Sequence, residues 1–123
     1  MAVLFITHDL GLVREVASRV LVMYAGQIVE EGLVQELFAR PRMPYTKSLL
    51  ASRPHLGGER RKISAIPGVV PNLAMLPQGC SFHPRCAFSL KGLCDQREPI
   101  LEEVGGGSRV RCHRWREIEE AGL

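Results

Sequence analysis

No run of apolar residues in this 123-residue chain approaches the roughly 18 that a membrane-crossing helix needs. Its first residues also lack the charged-then-apolar pattern of a secretory leader. An excess of one charge is missing too. Against 13 Asp and Glu stand 16 Lys and Arg, a formal net charge of +3, too little to argue for a nucleic-acid surface. The Arg60-Arg61-Lys62 run and the arginines between Arg109 and Arg116 therefore read as solvated or structural faces. No internal repeat and no low-complexity stretch occurs, which excludes a solenoid or a biased tail. Cysteine is absent from the first 79 residues and then occurs four times. With 46% hydrophobic residues and a mean hydropathy of +0.01, the chain suits one small domain, or part of one with an appendage.

What is present starts with Ala2-Val3-Leu4-Phe5-Ile6. Five consecutive apolar residues predict a strand buried on both faces, as in a parallel sheet. It runs into Thr7-His8-Asp9, and ligands bind at the carboxyl ends of such strands. His8 is thus either a site residue or a histidine with a local structural bond, and Asp9 is a candidate N-cap for a helix from Leu10. Leu10, Val13 and Ala17 keep helical spacing, with Leu12 and Val16 widening the apolar face. Val20 to Tyr24 and Gln27 to Gly32 predict a hairpin about an Ala25-Gly26 turn. A short helix over Leu33 to Phe38 is stopped by Arg40-Pro41. Thr46 is a candidate cap for a last helix through Leu49, Leu50 and Ala51.

After Arg53 the composition shifts. Pro54, Gly57-Gly58 and the basic run read as a linker, and His55 within it receives no role. Pro67, Pro71 and Pro77 then forbid a long helix or a central strand. That segment is expected to wrap a surface, with Val69, Val70, Leu73 and Leu76 covering the preceding lobe.

Three strings together resemble the end of an ABC-transporter nucleotide-binding domain, and more narrowly the ATPase subunits of bacterial oligopeptide and dipeptide importers. They are Phe-Ile-Thr-His-Asp-Leu, Val-Met-Tyr-Ala-Gly-Gln-Ile-Val-Glu-Glu-Gly and Pro-Tyr-Thr-Lys-Ser-Leu-Leu. The resemblance implies an α/β fold: the C-terminal fragment of a P-loop ATPase domain (strand, helix, hairpin, helices) followed by an irregular Cys-rich extension. The implied division is residues 1–53 for the nucleotide-binding part, 54–65 for a linker and 66–123 for the extension. It also implies ATP with Mg2+ as cofactors of the full-length protein and His8 as the switch histidine that contacts the γ-phosphate. Transmembrane permease subunits and a second ATPase subunit are the implied partners, with a peptide-binding protein indirectly, at the cytoplasmic face of the cell membrane. One departure limits the chain. No G-x-x-x-x-G-K-[ST] loop occurs in it, nor the family's signature motif, nor its magnesium-binding acidic segment. Alone it is expected to be inactive. With most of the sheet missing, it is also expected to self-associate.

Cys80, Cys86, Cys94 and Cys112 are separated by 5, 7 and 17 intervening residues. Two disulfides, four unrelated thiols and one four-cysteine metal site are the possible readings. A reducing compartment argues against the first, and the Pro- and Arg-rich context against the second. No interval matches the C-x2-4-C pairs of structural zinc, nor the C-x2-C-x2-C run of bacterial ferredoxins. Spacing alone therefore leaves zinc and iron open. The resemblance implies a [4Fe-4S] cluster on these four residues, with zinc as the alternative. His83 and His113 beside them are expected in supporting or surface roles. Arg85, Arg109 and Arg111 either offset the cluster's charge or are ordinary solvated arginines. The rival reading for the whole chain is a stand-alone metal-binding interaction module, built on the four cysteines, that keeps a remnant of ATPase sequence.

Overall fold

Asp9 caps the first helix as its position predicts. Its Oδ1 accepts the backbone N–H groups of Gly11 and Leu12 at 2.9 and 3.1 Å, and α1 spans Leu10–Val16. The computed structural model describes residues 1–53 and 65–122. The expected linker, with His55 and the basic run, lies outside the described residues except for Ala65.

The expected hairpin is present. Strand β1 (Arg19–Tyr24) and strand β2 (Gln27–Leu33) pair antiparallel. Both turn residues have positive φ, 48° at Ala25 and 77° at Gly26, the combination a two-residue type I′ turn requires. Helix α2 (Val34–Ala39) follows one residue later than expected, and α3 spans Pro44–Ala51.

Three expectations need correction. Residues 2–6 form no strand, and Val3, Leu4 and Ile6 are 74%, 84% and 89% exposed. A strand exists only where a neighbour takes its ladder bonds, and no described residue runs beside this one. Thr46 does not cap α3; it lies buried within the helix. The capping is done from β2 instead, where the Glu30 carboxylate accepts the N–H groups of Arg42 and Met43 at 2.7 and 3.1 Å. Finally, Val69, Val70, Leu73 and Leu76 do not cover the lobe; all are exposed. Ile66, just before them, does pack on the core.

The extension is more regular than expected. Strand β3 (Glu102–Gly105) and strand β4 (Ser108–Val110) form a second hairpin. β4 pairs with β2, giving a four-stranded antiparallel sheet in the order β1-β2-β4-β3. Helix α4 (Trp115–Glu120) closes the described chain. A register shift opposite Val22/Met23 leaves Val29 as a bulged residue in β2. The core joins both parts: Val22, Tyr24, Val29, Leu37 and Met43 pack with Phe82, Val110 and Trp115. Within it the rings of Tyr24, Tyr45 and Phe82 lie 4.7–5.3 Å apart in tilted and edge-on pairs, geometries that add to simple burial. Among the described residues no helix is long and apolar enough to cross a membrane.

On the other side of β2, Glu31 accepts bonds from Arg19 on β1 and Arg109 on β4 at 2.6 and 2.8 Å. Those two bonds, Arg109 first, hold its carboxyl below the usual carboxylate range despite burial. A depressed folded pKa contributes stability above the unfolded value and loses it as pH falls through the folded one. Stability should therefore decline as pH drops below about 4.5, the unperturbed value. Glu31→Gln should cost about 2 kcal/mol at pH 7 and flatten that acid limb. Equal urea midpoints for the two proteins at pH 7 would exclude this role.

Candidate functional site

Four thiols from three stretches of chain meet at one cavity. Cys80, Cys86, Cys94 and Cys112 all line it, with Met43, Phe82, Phe88 and Ile118 among its apolar walls. Its volume is about 20 Å3, room for about one water molecule. All four cysteines are free thiols, and none lies in a helix or strand. Their meeting is enforced by backbone. The Cys80 N–H donates to the Cys94 carbonyl at 2.8 Å. Gly79, with φ of 79°, passes so close that a Cβ there would lie 2.3 Å from that same oxygen. Only glycine allows this approach.

The sulfurs are met by main-chain donors at a repeated offset. Phe82 turns its N–H group toward Cys80, Phe88 toward Cys86 and Arg114 toward Cys112. Burial dominates nonetheless: it pushes the Cys86 thiol up to about 11 and the Cys112 thiol up to about 12, and it raises Cys80 as well. The neighbouring sulfurs add to the shift, since each anion would disfavour the next. Without a metal the thiols of Cys80, Cys86 and Cys112 are therefore held in the protonated form. Among the described residues, no group of three or more His, Cys, Asp or Glu side chains is arranged to hold a single metal ion. The four sulfurs stand around a cavity rather than about a point.

The flanking histidines and arginines separate into roles. His83 and His113 both line the cavity wall, and His113 Nε2 lies 2.8 Å from the Arg97 carbonyl oxygen. Arg109 is drawn to Glu31, away from the thiols, and Arg85 donates to the Pro67 carbonyl and the Tyr24 hydroxyl. Arg111 donates to the Ile28 and Pro99 carbonyls, whereas Arg114 lines the cavity itself and donates to the Phe88 carbonyl. Sequence reading missed Arg114 and the core residue Phe82. The spacing Cys80-x-Phe82 gives no hint that the intervening turn plunges into the lobe's core.

His8 stands apart. It is exposed, one residue before the Asp9 cap, and is not among the residues lining the four-thiol cavity. The Asp9 N–H donates to the Thr7 hydroxyl at 3.0 Å, which fixes the turn on which His8 is carried.

The chain belongs to the oligopeptide/dipeptide transporter C-terminal region family, which matches residues 29–94, just over half of it. A Brucella ovis protein named for peptide import and ATP binding is 52% identical over 124 residues, covering 96% of this chain and 36% of that protein. A dipeptide transport ATP-binding protein of Haemophilus influenzae is 44% identical over 113 residues, covering 92% of this chain and 34% of its own length. The chain thus spans about a third of the curated relatives it matches.

The raised thiols have a direct readout. At pH 8 the metal-free folded protein should react with iodoacetamide about 100-fold more slowly at Cys86 than the urea-unfolded chain, because the reactive thiolate fraction falls tenfold per unit of pKa. Peptide mass spectrometry follows each cysteine separately. Equal folded and unfolded rates at Cys86 would show that the thiol is not shielded.

Proposed function

We propose that this chain is the C-terminal portion of the ATP-hydrolysing subunit of a peptide-importing ABC transporter. The observation carrying this reading is the family match, extended over more than nine-tenths of the chain by relatives named for peptide import and ATP binding. That coverage begins well before the cysteines, which disfavours a stand-alone metal module. In this reading residues 1–53 belong to the nucleotide-binding part and 66–123 to the extension. ATP and Mg2+ bind mainly through loops not found in these 123 residues, and the subunit sits at the cytoplasmic face against permease subunits and a second ATPase. The exposed apolar residues Leu4, Phe5 and Ile6 are what the rest of that domain would cover; without it they favour self-association.

His8 acts as the switch histidine. Its support is position: exposed, on a turn held by Thr7 and Asp9, immediately before a helix. A side chain so placed can reach a γ-phosphate and hold the attacking water, whereas Asp9 is committed to its cap. In the full-length subunit His8→Ala should lower kcat for ATP hydrolysis by about 100-fold or more while KM for ATP changes little. Hydrolysis at the wild-type rate would reduce His8 to a helix-start residue.

Cys80, Cys86, Cys94 and Cys112 hold a [4Fe-4S] cluster. The support is the donor set: four thiols largely withdrawn from solvent around one cavity, three of them already facing backbone N–H donors. Among the described residues no group of three or more donors is arranged to hold a metal ion, so the cluster is preferred to zinc on the resemblance to the peptide-importer extension alone. The cavity as it stands is smaller than such a cluster, so loading requires the thiol side chains to turn outward from their irregular segments. When bound, a cluster supplies iron–thiolate bonds that cross-link these segments, and a one-electron centre. The chain's own residues deprotonate, orient by their N–H partners, and exclude water with Phe82 and Phe88. Its proposed task is to hold the extension as a platform for subunit contacts. Anaerobic reconstitution should give a brown protein with about four irons per chain, and Cys94→Ser should bind little iron. About one zinc per chain and no colour would favour the alternative.

A further inference from the structure

Two of the four thiols are joined through the main chain. The Cys80 N–H donates to the Cys94 carbonyl at 2.8 Å, and among the described residues no other pair of the four cysteines shares a backbone hydrogen bond. A bond of that kind sets two Cα atoms about 5.5 Å apart, inside the roughly 4.4–6.8 Å that a disulfide spans. Both residues line the same cavity, so their side chains share one space rather than diverging. Each is also anchored in its own turn. The Cys80 carbonyl accepts the His83 N–H at 3.0 Å, and the Cys94 N–H donates to the Leu90 carbonyl at 2.9 Å. The Asp95 carboxylate closes the second turn by accepting the Gly92 N–H at 2.6 Å. Cys80 is half-buried and Cys94 buried, so an oxidant arriving from solvent meets Cys80 first. The cavity, at about 20 Å3, has no room for an outside thiol to compete with Cys94 for the oxidised sulfur.

We propose that Cys80 and Cys94 form a reversible disulfide when the metal-free protein meets hydrogen peroxide, with Cys86 and Cys112 left as thiols. The Cys80 sulfur attacks one peroxide oxygen, the O–O bond breaks, and a sulfenic acid and one water result. The Cys94 sulfur then attacks the Cys80 sulfur, the S–O bond breaks, and the hydroxyl leaves with the Cys94 proton as a second water. Two thiols lose two electrons between them, and one peroxide gains them. A bridge of this kind suits a reducing compartment, where disulfides are transient and redox-sensing rather than structural. While it lasts neither sulfur can serve as a thiolate donor, so the site is closed to any metal until a reductant opens it. Bridging itself needs no metal, and so stands apart from the cluster reading.

The test uses the full 123-residue chain, folded, reduced and stripped of metal with EDTA, then exposed to hydrogen peroxide and quenched with catalase. Remaining thiols are alkylated before digestion. Trypsin cuts after Arg85, Lys91, Arg97 and Arg111, which leaves each cysteine on its own peptide. Half of the free thiols should be lost, the intact mass should fall by two hydrogens, and dithiothreitol should restore both. The linked Cys80–Cys94 peptides should exceed every other linked pair about tenfold. The urea-unfolded chain is the control, since its shorter loop favours Cys80–Cys86. Cys86→Ser should still bridge. Cys94→Ser should instead carry Cys80 past the sulfenic acid to the sulfinic acid; if that variant does not fold, wild type and Cys86→Ser decide. A folded protein whose linked pairs match the unfolded distribution overturns the assignment, and so does one in which Cys80 reaches the sulfinic acid while Cys94 stays a thiol.

Discussion

Strand β2 is the element on which every other part of this structure depends. Five successive residues in it each make a different long-range attachment. Gln27 donates to Glu98 at 2.8 Å, Ile28 and Val29 accept from Arg111, Glu30 caps α3 from below, and Glu31 bridges Arg19 and Arg109. A strand can do this because successive side chains leave opposite faces while its carbonyls lie in the sheet plane. The bulge at Val29 adds a further direction by turning one carbonyl out of the β1–β2 ladder. Glu30 and Glu31 show how far environment decides chemistry. Adjacent in sequence, they carry opposite pKa shifts: burial pushes Glu30 up, and two guanidinium groups pull Glu31 down.

The parts of the fold that could be read from sequence were those whose cause is local. The Asp9 cap, the Ala25-Gly26 turn, the hairpin around it and the helix stopped before Pro41 each follow from a few neighbouring residues, and each is present. The opening apolar run was misread because a strand is a property of pairing, and none of the described residues pairs with it. Thr46 was misread for a related reason. The donor groups at the start of α3 are satisfied by a carboxylate twelve residues earlier, which no local pattern announces. The β3–β4 hairpin did have a signal, the Gly105-Gly106-Gly107 triplet between short segments; all three glycines have positive φ. Its pairing with β2, about eighty residues away, did not.

The candidate sites divide the same way. The four cysteines could be grouped by their isolation in one third of the chain, and they do converge on one cavity. Their spacing could not distinguish one ion from a cluster, because that depends on how far apart the sulfurs stand once the intervening turns fold. The arginines were equally opaque. Arg109 and Arg111 are two residues apart, on β4 and just after it, yet one is neutralised by Glu31 and the other is bound to the Ile28 and Pro99 carbonyls. His8 differs again, since it stands exposed on a turn before α1 and is not among the residues that line the cavity.

The sheet order β1-β2-β4-β3 places the extension's strand against the lobe's hairpin, and Phe82 and Trp115 complete the lobe's core. The two halves of the chain therefore have no separate unfolding transitions to offer. Pulling β4 away would strip Glu31, Val29 and Ile28 of partners at once, so fraying of the extension is coupled to loss of the hairpin. A group bound by the four thiols would consequently be linked, through one cooperative unit, to the helices that follow the hairpin, and its loss would be felt as a change in their stability rather than as the release of a detached appendage.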